Sequence, residues 1–166
     1  MIIFNKLSKI QIFINIIEIP CHGDIMAIAG FGFTSIEVKR KPMKGGKISI
    51  SNNVAIKDIE EKELHLGKEK QKALKFIFEF TSKYDPDIGN ITIEGELLFI
   101  EEAKKVQDIL DEWKKDKKVP QDVMTIILNN ILNKCNITAL ILSREVNLPA
   151  PIPLPKVQVG KPADKK

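Results

Sequence analysis

The clearest pattern in this sequence is an alternation of apolar and polar residues on both sides of a proline-containing turn. Large apolar residues occupy every second position of the first segment: Leu74, Phe76, Phe78 and Phe80. After the turn DPDIGN at residues 85–90, apolar residues return on one side of the second segment: Ile91, Ile93, Leu97 and Phe99. A period of two is typical of a strand with one buried face. A short turn with Pro and Gly joins antiparallel neighbours, so residues 74–100 are predicted to form a β-hairpin.

Two further strands are predicted upstream. Residues 31–40 form the first, with Thr34, Ile36 and Val38 on one face, and the turn PMKGG follows at residues 42–46. Residues 47–59 form the second, with these apolar residues on one face: Ile48, Ile50, Val54 and Ile56. The polar stretch GKEKQK at residues 67–72 is interpreted as a loop or hairpin connection. Short connections between antiparallel neighbours predict a four-stranded meander.

The apolar period changes to that of a helix after residue 100. Residues 101–117 carry apolar side chains at helical spacing: Ala103, Val106, Ile109, Leu110 and Trp113. The segment VPQD at residues 119–122 ends this helix and starts a second, which either kinks at Asn136 or runs through to Arg144. The prediction is an α+β fold: a four-stranded antiparallel sheet (meander) followed by two helices packed on one face, in one domain over residues 26–157.

Composition is that of a soluble globular protein of one domain. The 166 residues are 43% hydrophobic and 29% charged, with a net charge of +4. Abundant Lys, Glu and Ile are typical of heat-adapted proteins, which suggests a thermophile. The basic tracts VKRK (residues 38–41) and KKDKK (residues 114–118) have two interpretations. They are either contacts to nucleic acid or a solvated surface of mixed charge.

The two ends of the chain are expected to lie outside the domain. Residues 1–25 are apolar, but Asn5, Lys6 and Lys9 are among the polar residues that interrupt them too often for a membrane span. Gly23-Asp24 precedes Met26, and its codons can spell GGTGAT, a ribosome-binding sequence. We therefore hypothesise that residues 1–25 are a mis-assigned start, which mass spectrometry of the native N-terminus would test. Residues 158–166 are expected to form a disordered basic tail.

Searches for catalytic motifs find little. Cys21 and Cys135 lack metal-ligand spacing and are expected to be reduced, buried thiols in the cytoplasm. The glycines lack phosphate-binding spacing. Glu94 and Glu96 share a strand face, and they form either a carboxylate pair or part of a solvated sheet face. The sequence thus predicts a protein that is not an enzyme, with no metal, no cofactor and no membrane span.

Short motifs mark the last third of the chain: Cys135-Asn136-Ile137-Thr138, Ser143-Arg144, Leu148-Pro149 and Pro155. They resemble a helix of the SecB family of protein-export chaperones, which carries a cysteine, an Ile-Thr and a Ser-Arg before a Phe-Pro-x-Leu-x-Leu-x-Pro ending. The predicted order of elements is also similar over residues 29–157. The chain departs from the family at Glu145, which replaces a glycine, and it lacks the Cys-Pro…Phe-Pro-Tyr segment and the last helix.

The resemblance implies an ATP-independent chaperone that binds unfolded or nascent polypeptides along hydrophobic grooves. It also implies a homo-oligomer, a dimer or tetramer. The expected client-binding residues are apolar side chains of the sheet and of the proline-rich segment: Phe31, Phe33, Ile77, Leu98, Leu148, Ile152 and Leu154. The prolines at 149, 151, 153 and 155 impose an extended path. That path forms one wall of a client groove, a ligand for a proline-recognising partner, or a packing strap.

Two other functions remain open from the sequence. The basic tracts suggest an RNA- or ribosome-associated protein. The surplus of apolar residues suggests a homo-oligomeric structural subunit, because an exposed apolar face needs a partner.

Overall fold

The computed structural model describes residues 27–42, 46–66 and 69–155. Within these ranges four strands precede two helices: β1 (Ala27–Arg40), β2 (Ser49–Leu66), β3 (Glu69–Asp85), β4 (Gly89–Ile100), α1 (Ala103–Asp116) and α2 (Gln121–Glu145). The strands form one open antiparallel sheet against which both helices pack. The predicted α+β class is confirmed. The predicted N-terminal extension (residues 1–25) and basic tail (158–166) lie outside the described residues.

The strand order is β1-β4-β3-β2, which differs from a meander. Strands β2, β3 and β4 are consecutive hairpins, but β1 pairs with β4, from Ala27 opposite Ile100 to Arg40 opposite Gly89. The connection from β1 to β2 therefore runs from one edge of the sheet to the other. Local periodicity reports which face of a strand is buried but not which strand lies beside it, and for this reason the sequence did not predict the order. As a result β1 and β2 are both edge strands.

The β2–β3 hairpin is longer than predicted, reaching Leu66 on one side and starting at Glu69 on the other. The extension carries acids on β2 and lysines on β3, which face each other across the strands. Glu61 pairs with Lys72 at 2.6 Å, and Glu60 pairs with Lys75. Opposite charges on neighbouring strands attract each other and favour this pairing. A search for apolar alternation misses this extension because both of its faces are largely polar.

The core lies between the inner face of the sheet and the two helices. The eight residues that predicted the hairpin are all fully buried: Leu74, Phe76, Phe78, Phe80, Ile91, Ile93, Leu97 and Phe99. From α1 the core receives Val106, Ile109, Leu110 and Trp113. From α2 it receives residues at every fourth position: Val123, Ile127, Ile131, Cys135 and Ala139. The second helix is continuous to Glu145, so the alternative in which it runs through Arg144 is confirmed.

A β-bulge in β1 changes which of its side chains face inward. The register passes from Phe33 opposite Gly95 to Ser35 opposite Glu94, so Thr34 is the extra residue. An inserted residue reverses the alternation on its two sides. Phe33 and Ile36 therefore both face the helices, although their separation is odd. The sequence prediction of a regular strand over residues 31–40 did not include this bulge.

Gly95 makes room for an aromatic ring in the core. A Cβ at this position would lie 2.5 Å from Cζ of Phe78 and 2.5 Å from the carbonyl oxygen of Gly32. Phe78 in turn packs on Phe31, with 5.3 Å between the ring centroids. The missing side chain of Gly95 thus lets Phe78 approach the sheet and contact β1.

We expect Gly95→Ala to lower the free energy of unfolding by about 1–3 kcal/mol, since the added methyl overpacks the core. The matched control is Gly32→Ala, because a Cβ at Gly32 meets no atom within 4 Å. The control should change stability by less than about 1 kcal/mol. Urea unfolding followed by the fluorescence of Trp113, the only tryptophan, measures both. Equal stability of the two variants would contradict the packing of Phe78 on Gly95.

Candidate polypeptide-binding surface

Strand β1 carries apolar side chains that the helices leave partly open. The main contacts of α1 are with β2 and β3, and those of α2 are with β4 and β3. On the inner face of β1, Phe33 is 37% exposed and Ile36 is 46% exposed. Within the described residues the outer edge of β1 pairs with no other strand. An open edge beside apolar side chains can accept a further strand.

A groove lies between β1 and α2, and we call it the β1 groove. It encloses about 360 Å³ and is lined by Phe31, Gly32, Phe33, Lys134, Ile137 and Thr138. The ammonium group of Lys134 lies 4.9 Å from the centre of the Phe31 ring, a cation–π contact. The walls are therefore mainly apolar, with one cation at the rim.

A second groove follows at the C-terminal end of α2. The chain from 146 to 155, which we call the strap, turns back beside the helix there. The groove between the two, the strap groove, encloses about 510 Å³ and is lined by Leu140, Ile141, Ser143, Arg144, Asn147, Leu148, Ala150 and Leu154. Leu154 is 49% exposed at its edge.

Two isoleucines on α2 connect the grooves. Ile137 lines the β1 groove and is 62% exposed, and Ile141 lines the strap groove and is 58% exposed. Residues four apart lie on the same side of a helix, one turn from each other. The β1 groove, Ile137, Ile141 and the strap groove therefore form one surface, which we call the apolar surface.

The strap is held to the sheet by side chains that donate hydrogen bonds to proline carbonyls. The hydroxyl of Tyr84 donates to the carbonyl of Pro149 at 3.0 Å, and the amide of Asn52 donates to that of Pro151 at 2.9 Å. Ser82 donates to the Asn52 side-chain oxygen at 2.7 Å and orients it. Proline lacks an N–H and can only accept. The extended path thus leaves no backbone donor unpaired at these positions.

The seven residues predicted to bind clients lie in different places. Phe31 and Phe33 line the β1 groove, and Leu154 lines the strap groove. Ile152 lies on the other side of the strap, in a groove of about 830 Å³ that also includes Ile48 and Ile50. Leu148 also lines the strap groove, but it is buried, with its methyl groups over Gly89, and it packs the strap onto the sheet.

Ile77 and Leu98 lie on the outer face of the sheet, away from the grooves. Both are half-buried there. The same face carries Glu94 and Glu96, and Lys57 pairs across it with Glu79 at 3.0 Å. Charged side chains surround the two apolar ones, so this is the solvated sheet face that the sequence allowed as one interpretation.

Three exposed isoleucines of β1 and α2 were not predicted to bind clients: Ile36, Ile137 and Ile141. The sequence held a signal for the last two, because residues 137–142 are apolar nearly all round the helix while only one side can face the sheet. Ile36 carried no such signal, because its exposure follows from the edge position of β1.

Three other features of the described residues concern metal binding, membrane insertion and nucleic-acid binding. No group of three or more His, Cys, Asp or Glu in the described residues could hold a metal ion. By length and composition alone, α2 could cross a membrane, but the core helix of a soluble protein passes the same test. In the first basic tract, Lys39 pairs with Glu37 at 2.8 Å and Lys41 with Asp87.

No protein-family model, curated protein or solved structure matches this chain.

The strap anchors can be tested by removing one donor. We expect Asn52→Ala to lower the free energy of unfolding by about 1–2 kcal/mol, because Pro151 loses a donor and Ser82 loses an acceptor. A protease should also cleave the strap of this variant faster than that of the original protein in limited proteolysis. Asn53→Ala is the matched control, since Asn53 points to the outer face and is exposed. If the two variants were equally stable and equally resistant, the anchoring role of Asn52 would be excluded.

Cys135 is expected to be unreactive in the folded protein. It is a free thiol in the core, and burial raises its pKa to about 12. The thiolate is the reactive form, so it stays suppressed through neutral pH. Above about pH 8.5, the ordinary pKa of a thiol, Cys135 loses its proton in the unfolded protein but keeps it in the folded protein. The free energy of unfolding therefore falls as the pH rises above this value. In a Cys21→Ser background, a thiol reagent should label the native protein at pH 8 only after denaturant is added, and rapid labelling without denaturant would contradict this.

Proposed function

We propose that this chain is an ATP-independent chaperone that binds unfolded or nascent polypeptides at the apolar surface. The observation that carries the proposal is the position of that surface beside the outer edge of β1, which pairs with no other strand within the described residues. Ile137 and Ile141 expose more than half of their side chains there. A polypeptide can use both features at once, since its backbone pairs with the edge and its side chains enter the grooves.

The binding mode follows from the geometry of an extended chain. A client strand paired with β1 presents alternate side chains to one face. Those on the inner side meet Phe33, Ile36 and Ile137. Binding of this kind selects apolar side chains but no particular sequence, because every polypeptide can form the same main-chain hydrogen bonds with the strand edge.

The strength of binding is set by the area that the client covers. Three or four apolar side chains remove on the order of 300 Å² from water, which favours binding by roughly 7 kcal/mol. Loss of translational freedom and ordering of the client offset much of this gain. One segment on one subunit therefore binds weakly. Several copies of the surface in a homo-oligomer would raise the effective affinity for a long client by about 100-fold or more.

The resemblance to the SecB family supports the same function, because such chaperones hold clients along hydrophobic grooves without nucleotide. Family resemblance and apolar exposure are independent lines of support. The family resemblance comes from the sequence motifs at Cys135, Ser143 and Pro149. The apolar exposure is that of Phe33 and Ile141.

The alternative of a homo-oligomeric structural subunit has the same surface in its favour, since β1 of a second copy could occupy the edge. The RNA-binding alternative has less support. Lysines of its first tract are paired with acids, and Lys117 of the second lies 4.7 Å from the ring centre of Trp113.

The proposal predicts that the double variant Ile137→Ser, Ile141→Ser loses most of its ability to hold clients. Each replacement removes an exposed isoleucine that would be buried by a client, and together they should weaken binding about tenfold or more. The measurement is light scattering of a denatured model protein diluted into buffer with the chaperone and without ATP. Multi-angle light scattering of the protein alone gives its molar mass in solution and therefore the number of subunits.

Ile126→Ser is the matched control, because Ile126 is an exposed isoleucine of the same helix that lines neither groove. It should suppress aggregation as well as the original protein does. No suppression by the original protein at several-fold excess would refute the proposal. If the double variant dissociates an oligomer that never bound clients, the surface is a subunit interface.

A further inference from the structure

A pocket far along α2 from the apolar surface has a different chemistry. It lies between α1 and the first turn of α2 and encloses about 260 Å³. Its lining residues are Glu101, Lys105, Asp108, Ile109, Glu112, Pro120, Asp122 and Val123. Four carboxylates therefore face one ammonium group, in a chain whose net charge is +4. Within the described residues, Asp108, Glu112 and Asp122 take part in no ion pair.

The strongest sign of a ligand is the carboxylate of Glu101. Its side chain is only 1% exposed. One oxygen, Oε1, accepts from the ammonium of Lys105 at 3.3 Å and from the backbone N–H of Glu102 at 3.2 Å. The other oxygen, Oε2, is buried and has no hydrogen-bond partner among the residues that the structure describes. Buried polar atoms are almost always paired, so an unpaired carboxylate oxygen in a pocket wall indicates a missing donor.

The pocket walls indicate what kind of donor is missing. Ile109, Pro120 and Val123 supply apolar surface, which suits an aliphatic stem. Within the described residues, these carboxylates do not form a group that could hold a metal ion. A guanidinium group presents five N–H donors in a plane and can serve separated carboxylates at once.

We propose that this pocket binds the side chain of an arginine in a polypeptide, with the stem against Ile109 and Val123 and the guanidinium between Glu101 and the acids of α1. Lys105 holds Oε1 in the ligand-free protein and competes with the incoming group for Glu101. The inference does not depend on the chaperone proposal, because the residues of the two sites do not overlap.

The test is a titration of the full-length protein, labelled with ¹⁵N, with the peptide acetyl-Gly-Arg-Gly-amide. Amide signals of Ile109 and Val123 should shift, and binding should weaken as salt is raised, because it depends on charge. The same peptide with citrulline in place of arginine has nearly the same shape without the charge and should cause no shift. A lysine peptide and spermidine are further probes, and each should bind more weakly than the arginine peptide.

Variants of exposed residues locate the site without disturbing the core. Asp108→Asn with Glu112→Gln should weaken the arginine peptide about tenfold, since two charge-assisted contacts are lost. Asp111→Asn is the matched control, an exposed acid of α1 that does not line the pocket, and should leave the affinity unchanged. Lys105→Met should strengthen binding because it removes the competing ammonium.

Three results would overturn the proposal: equal shifts with citrulline, equal loss in the Asp111→Asn control, or tighter binding of spermidine than of the arginine peptide. The double variant Ile137→Ser, Ile141→Ser should still bind the arginine peptide. This separates a failure of the pocket from a failure of the apolar surface.

Discussion

Burial of one face of the β3–β4 hairpin is the interaction on which the rest of the structure depends. Four aromatic residues of this face, Phe76, Phe78, Phe80 and Phe99, are completely buried. Burying a side chain of this size favours folding by roughly 1.5–3 kcal/mol. Both helices and the strap therefore pack against this face of the hairpin. They cover β2, β3 and β4 more fully than β1. The apolar surface at β1 is therefore exposed because the helices and the strap do not extend fully over this strand.

The sequence predicted the parts of the fold that depend on local periodicity. The alternation around Phe78 and Ile93 predicted the hairpin, and the helical spacing from Val106 to Trp113 predicted the first helix. It did not predict that β1 joins β4 or that Thr34 forms a bulge, because strand partners and register are set by contacts distant in sequence. The candidate site was only partly predicted for the same reason. Phe33 and Leu154 lie on it, whereas Ile77 and Leu98 lie on the outer face.

The strap links the fold to the proposed function. Its first half is part of the folded body, because Leu148 covers Gly89 and two proline carbonyls accept bonds from Asn52 and Tyr84. Its second half ends at the exposed Leu154. One short segment thus completes the core at one end and forms a groove wall at the other. The apolar surface at one end of α2 and the acidic pocket at the other would let the same helix contact apolar and basic parts of polypeptides.

We propose that unfolded polypeptides bind at β1 and the C-terminal half of α2. The most direct measurement is a map of NMR chemical-shift changes on the ¹⁵N-labelled protein as a permanently unfolded, apolar polypeptide is added without nucleotide. We expect changes at Phe33, Ile36, Ile137 and Ile141. Changes confined to the outer sheet face, around Glu79 and Glu94, or no changes at saturating polypeptide, would contradict it.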